Sequence, residues 1–116
     1  LGKKYLRISV PYEKIASYYR QGDVFTMVSE TEAFGIAYVE ALACNLPVVA
    51  TSDSTRQEII GKAGILTDPT NIEKYARDLE IAVKTNYRNI PYDQAQKFSW
   101  NNICASYEDL FENLLK

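Results

Sequence analysis

Apolar and polar residues alternate over residues 6–10 (Leu-Arg-Ile-Ser-Val), the period of a half-buried strand, and Pro11 stops the run. Ile15, Tyr18 and Tyr19 then recur at helical spacing, which predicts a short helix over residues 12–21 ended by Gly22. Residues 23–28 form a compact run rich in β-formers and read as a buried strand. After a loop at 29–32, residues 33–44 are apolar nearly throughout and read as a buried helix closed by Asn45. Residues 47–51 (Pro-Val-Val-Ala-Thr) read as a second buried strand. Ser54 and Gln57 have capping-box spacing, and Gly61 would close the helix they open. Residues 63–67 give a third short strand. Thr70 and Glu73 form a second box, followed by a stripe of Ile72, Tyr75, Ala76, Leu79 and Val83. Residues 86–93, with Pro91, read as a loop. Ser99 would cap a last helix with the stripe Trp100, Ile103, Tyr107, Leu110, Phe111 and Leu114. Strands alternating with helices over short connections predict an α/β fold with a parallel sheet.

Length and charge narrow the function. The chain has 116 residues, enough for one domain. Thirteen basic against fifteen acidic side chains leave a net charge of −2, so nucleic acid is not expected as a partner. No apolar run approaches the roughly 20 residues of a transmembrane helix. Histidine is absent, which excludes Ser-His-Asp and Cys-His catalysis within these residues. Cys44 and Cys104 both sit among helical apolar residues and are expected to be buried thiols in a reducing compartment. The first residue is Leu1 and the single methionine is Met27, so a piece of a longer protein is expected.

The residue that stands out is Glu40, the one charge between positions 33 and 44. A carboxylate in a dry core is costly without a partner, so either this helix edge faces a cleft or a cation such as Arg56 pairs with it. Glu32 lies in the loop before the helix, with seven residues between it and Glu40. Helix rise would separate the two carboxylates by roughly 9–12 Å along the axis. Between them lies the start of the helix, with free N–H groups from Phe34, Gly35 and Ile36 that attract anions. Hydroxyls at both ends and phosphates in the middle would match this layout, as in a nucleotide-sugar; carboxylates accept well from vicinal hydroxyls. Glu30 and Glu32 could mimic a metal-binding pair. With no Asp-x-Asp, no histidine and no second acidic cluster, neither a metal nor a cofactor is expected.

The segment Ser29-x-x-Glu32-Ala-Phe-Gly35-x-x-x-x-Glu40-Ala-Leu-Ala-Cys-x-x-Pro47-Val-Val-Ala-Thr51 resembles the signature of group 1 (family 4) glycosyltransferases. Flanking matches at Gly22-Asp-Val-Phe, Gln57-Glu-Ile-Ile-Gly61 and Lys97-Phe-Ser-Trp100 extend it over nearly the whole chain. The resemblance implies a Rossmann-like parallel sheet flanked by helices, part of the C-terminal domain of a GT-B fold, spanning residues 1–116. It implies a nucleoside-diphosphate-sugar donor, an acceptor of unknown kind, retention of configuration and no metal. By the same resemblance Glu32 lies near the donor sugar and Glu40 binds the ribose hydroxyls. Ala33, Phe34 and Gly35, with Ile36 after them, turn backbone N–H groups toward the donor. The basic residues that neutralise the diphosphate, and the acceptor domain, have no counterpart here. The expected location is cytoplasmic, with peripheral membrane attachment open through the missing part. A sugar-nucleotide 2-epimerase of the same fold, and a non-enzymatic α/β interaction module, are the alternatives.

The resemblance makes residues 6–10 the third strand of a 3-2-1-4-5-6 sheet and residues 23–28 the fourth, with the strands between them missing. Backbone groups flanking an empty slot would go unpaired. The two segments are therefore expected to pair directly, or the first to detach, or a second copy to fill the gap by self-association.

Overall fold

A computed structural model describes residues 2–31 and 34–116. Its centre is strand β2 (Val48–Thr51), which pairs in parallel with β1 (Phe25–Met27) on one edge and β3 (Gly64–Thr67) on the other. Parallel neighbours need crossovers, and helices supply them: α2 (Ile36–Ala43) between β1 and β2, α3 (Ser54–Ile60) between β2 and β3. The expected α/β class, with helices flanking a parallel sheet, is what the chain adopts. Val48, Val49 and Ala50 are wholly buried because both faces of the sheet are covered. Val48 and Ala50 join a core with Tyr38, Leu42, Ile59 and Ile60. The other face is covered by α4 (Ile72–Lys84), where Tyr75 and Thr26 share a hydroxyl–hydroxyl bond of 2.7 Å. A Cβ on Gly64 would fall 1.8 Å from the Val48 carbonyl oxygen, so only glycine lets β3 approach β2 this closely.

Helix α2 is enclosed by β2, by α3, by α1 (Ile15–Tyr19) and by α5 (Ile90–Gln96), which accounts for its nearly uniform apolar sequence. Its end is a Schellman turn. Asn45 adopts φ 61°, its N–H donates to the Leu42 carbonyl (2.8 Å), and the Leu46 N–H donates to that of Ala41 (3.0 Å). The Asn45 side chain then donates to the Arg88 carbonyl and accepts from the Tyr92 N–H, fastening the start of α5 to the end of α2.

Several expectations are corrected. Residues 6–10 form no strand: Leu6 is 77% and Ile8 48% exposed, and the segment does not join β1, which is an edge of the sheet. Alternation specifies two faces but no ladder partner, and the missing partner decides. The expected direct pairing of residues 6–10 with the strand at 25–27 is therefore not formed. The expected loop at 86–93 contains the start of α5, where Pro91 occupies the first turn and loses no hydrogen bond by lacking an N–H. Pro91 is fully buried, and the Gln94 side-chain amide donates to the Ile59 carbonyl at 2.9 Å. The caps of α3 and α4 are Asp53 and Asn71, each one residue away from the hydroxyls expected to serve, and each accepts from the N–H three residues on. Carboxylate and amide oxygens cap as well as hydroxyls, so adjacent Asx and Ser/Thr positions compete. Helix α6 (Trp100–Leu114) does begin after Ser99, whose hydroxyl accepts from the Asn102 N–H, yet none of its residues is buried. Cys104 on this uncovered helix is exposed and Cys44 half-buried, so the expected pair of buried thiols is not formed; both are free.

Asp78 of α4 is buried. Burial pushes its carboxyl up, but the 2.6 Å bond from Lys74 and the charges of Lys74 and Arg77 outweigh this and hold it below the ordinary value. Such a group stabilises the fold above its unfolded pKa of about 3.9 and ceases to as pH falls through its lower folded value. Asp78→Asn should therefore lower stability near neutral pH by up to about 1 kcal/mol, since Lys74 is part-exposed, and by progressively less below about pH 4. Urea unfolding midpoints across that range check this; a pH-independent difference would contradict it.

Candidate functional site

The loop from β1 into α2 is the segment the sequence marks for chemistry. Glu32 and Ala33 lie outside the described residues. Phe34 sets its ring edge-on to Phe98, with centroids 5.6 Å apart. Gly35 occupies the N-cap with φ 81° and ψ 66°, a left-handed conformation that only glycine adopts freely. That break makes Ile36, not Phe34, the first helical residue. Among the described residues no side chain caps α2, so its first-turn N–H groups keep their capacity to meet an anion. Gly35 is required sterically as well: a Cβ there would lie 2.6 Å from the Tyr38 ring.

Glu40 follows just over one turn into α2 and is half-buried. One carboxylate oxygen, Oε2, accepts from the Tyr19 hydroxyl of α1 at 3.1 Å. Burial, then the bond to Glu40 and its charge, push the Tyr19 hydroxyl up to about 12, so it is a donor throughout the neutral range. Glu40 lines a cavity of about 380 Å³ with Tyr12, Ala16, Tyr19, Arg20 and Cys44. A second hollow of about 690 Å³ is lined by Phe34, Ile36, Val39, Phe98 and Trp100, and Tyr12 borders both. Phe34 and Ile36 thus open on one hollow and Glu40 on the other, with Tyr12 common to the two.

The cationic partner considered for Glu40 is not Arg56. Among the ion pairs of the described residues none includes Glu40, and the Arg56 guanidinium binds Asp53, Tyr38 and Ser29 instead. Arg56 falls three and four residues before Ile59 and Ile60, on the buried face of α3, and its side chain turns beneath the β1–α2 loop. That i, i+3, i+4 spacing was the available signal for its burial. Nothing in the sequence marks Tyr19 as the partner of Glu40, because the two sit on separate helices. Among the described residues no three His, Cys, Asp or Glu side chains are grouped to hold a metal, and no helix is long and apolar enough to cross a membrane.

Residues 6–100 match the family described as glycosyl transferases group 1. The chain belongs to that family. It is similar to the O-antigen chain mannosyltransferase B of Escherichia coli, 32% identical over 98 residues that cover 80% of this chain and 26% of that protein. The D-inositol 3-phosphate glycosyltransferase of Paenarthrobacter aurescens is also 32% identical, over 113 residues covering 88% of this chain and 28% of that protein. A probable sucrose-phosphate synthase of Thermosipho melanesiensis is 30% identical over 95 residues, 77% of this chain and 22% of that protein. The chain therefore spans about a quarter of the length of these curated relatives. No solved structure matches it.

Gly35→Ala should destabilise the domain by about 1–3 kcal/mol, combining left-handed strain with the clash on Tyr38. A urea midpoint equal to that of the unaltered chain would contradict the described turn.

Proposed function

We propose that the chain is the donor-binding part, residues 1–116, of a glycosyltransferase that moves a glycosyl group from a nucleoside-diphosphate sugar to an acceptor. The observation that carries this reading is Glu40: a carboxylate on an otherwise apolar helix, without a cationic partner among the described ion pairs, lining an open cavity one turn from an uncapped helix N-terminus. Membership of the group 1 family and relatives named as glycosyltransferases support it. In this reading Tyr19 fixes Oε2 of Glu40, leaving Oε1 to accept from ribose hydroxyls. The N–H groups of Gly35 and Ile36, with Ala33 and Phe34 in the turn, face the diphosphate, and Glu32 contacts the donor sugar. Catalysis is positioning and charge stabilisation as the sugar–phosphate bond breaks, with retention of configuration and no metal. The acceptor site belongs to the remainder of the intact protein, which acts in the cytoplasm, and these 116 residues alone do not turn over.

Glu40→Gln in the intact protein should weaken nucleoside-diphosphate binding about tenfold or more, because hydrogen bonds to a charged acceptor contribute about 1.5–3 kcal/mol. Unchanged affinity by calorimetry would refute the ribose role. Glu32→Gln should lower kcat well beyond its effect on nucleoside-diphosphate affinity, since its partner is the sugar; matched losses in the two would refute that assignment.

A further inference from the structure

Arg56 is 1% exposed, so its charge has been taken almost wholly out of water. A buried guanidinium holds its place only if its donors are met, and those donors fix whatever they meet. Here they meet three elements. Nη1 pairs with Oδ2 of Asp53, whose Oδ1 also accepts the Arg56 backbone N–H, so one carboxylate both caps α3 and balances the charge. Nε donates to the Tyr38 hydroxyl at 3.1 Å, and that hydroxyl donates to the Met27 carbonyl at the end of β1. Nη2 donates to the Ser29 hydroxyl at 3.0 Å, while the Ser29 carbonyl accepts from the Thr51 hydroxyl at the end of β2.

These bonds bracket one loop. Ser29 is its second residue, held directly by Arg56. Gly35 is its last, and its left-handed turn lies against the ring of Tyr38, whose hydroxyl Arg56 also holds. We infer that Arg56 is a positioning residue: its guanidinium holds Ser29, just past β1, and Tyr38, against whose ring Gly35 turns, and thereby sets the turn amides of Gly35 and Ile36 against the substrate. The inference rests on the proposed transferase reading for its consequence, but the clamp is a property of the chain itself. Lysine cannot replace it, because an ammonium on a flexible stem does not present a planar fork to three partners in different directions.

The test uses the intact protein with Arg56→Lys, and with Ser29→Ala as a milder variant that deletes one bond of the clamp. Amide hydrogen exchange should quicken about tenfold over residues 29–36 in both variants while β3 and α4 exchange as before. For turnover of UDP- and GDP-sugars, kcat/KM should fall about tenfold or more in Arg56→Lys, as expected when amides that face the diphosphate are misplaced. Unchanged exchange over 29–36, quickened exchange spread evenly through the chain, or an unaltered kcat/KM would each overturn the inference. If the unsubstituted protein neither binds nor turns over any of these donors, the transferase reading fails, and the exchange pattern still decides whether Arg56 holds the loop.

Discussion

Burying α2 is the constraint around which this chain is arranged. A helix with Tyr38, Ala41 and Leu42 fully inside cannot rest on a sheet alone, since a sheet covers only one side of it. The remaining sides are taken by α1, α3 and α5, and each of these contacts has a local device behind it. The Schellman turn at Asn45 stops α2 and uses the same side chain to seat α5. The edge-on rings of Tyr19, Phe25 and Tyr38 fill the seam between α1, β1 and α2. Only in such an enclosure does a single carboxylate become informative: Glu40 stays half-exposed because the α1 side of the enclosure is open enough to leave a cavity.

The polar network under the loop follows a different logic from the core beside it. Apolar packing tolerates small shifts, whereas a guanidinium with carboxylate, phenol and hydroxyl partners specifies directions as well as distances. Placing Arg56 at this spot ties Ser29, Tyr38 and, through Tyr38, the end of β1 to α3 without lengthening any of these elements. Asp53 is part-exposed, so the pair is not sealed in a dry interior and the desolvation cost is moderated.

Much of this was legible in the sequence, and the failures have physical causes. The buried strand at 47–51, the apolar helix that Asn45 ends, the stop at Gly61 and the cap at Ser99 each depend on signals within a few residues, and each was found. Residues 6–10 carry as clear a strand pattern but pair with nothing, because pairing is a property of two segments. Pro91 read as a loop marker, although proline is also at home in a helix's first turn, and only the contact of α5 with α2 distinguishes the two. The stripe on α6 is real yet uncovered among the described residues. At the site, Glu40 was marked by its isolation, whereas its Tyr19 partner and the true partners of Arg56 depend on packing between elements that local spacing cannot express.

The sheet's order of attachment has a consequence for how this domain fails. Strand β2 is bonded along both edges and cannot leave without dissolving both ladders, whereas β1 has three residues and one ladder. An edge this short can peel away while β2, β3, α3 and α4 remain folded, since opening is cheapest where the fewest contacts are broken. The loop with the candidate chemistry hangs from the end of β1, so the site stands on the most detachable part of its own scaffold. Competence would then melt before the fold does, and a ligand that grips this loop would add a further fastener to the strand behind it, beyond those of Tyr38 and Arg56.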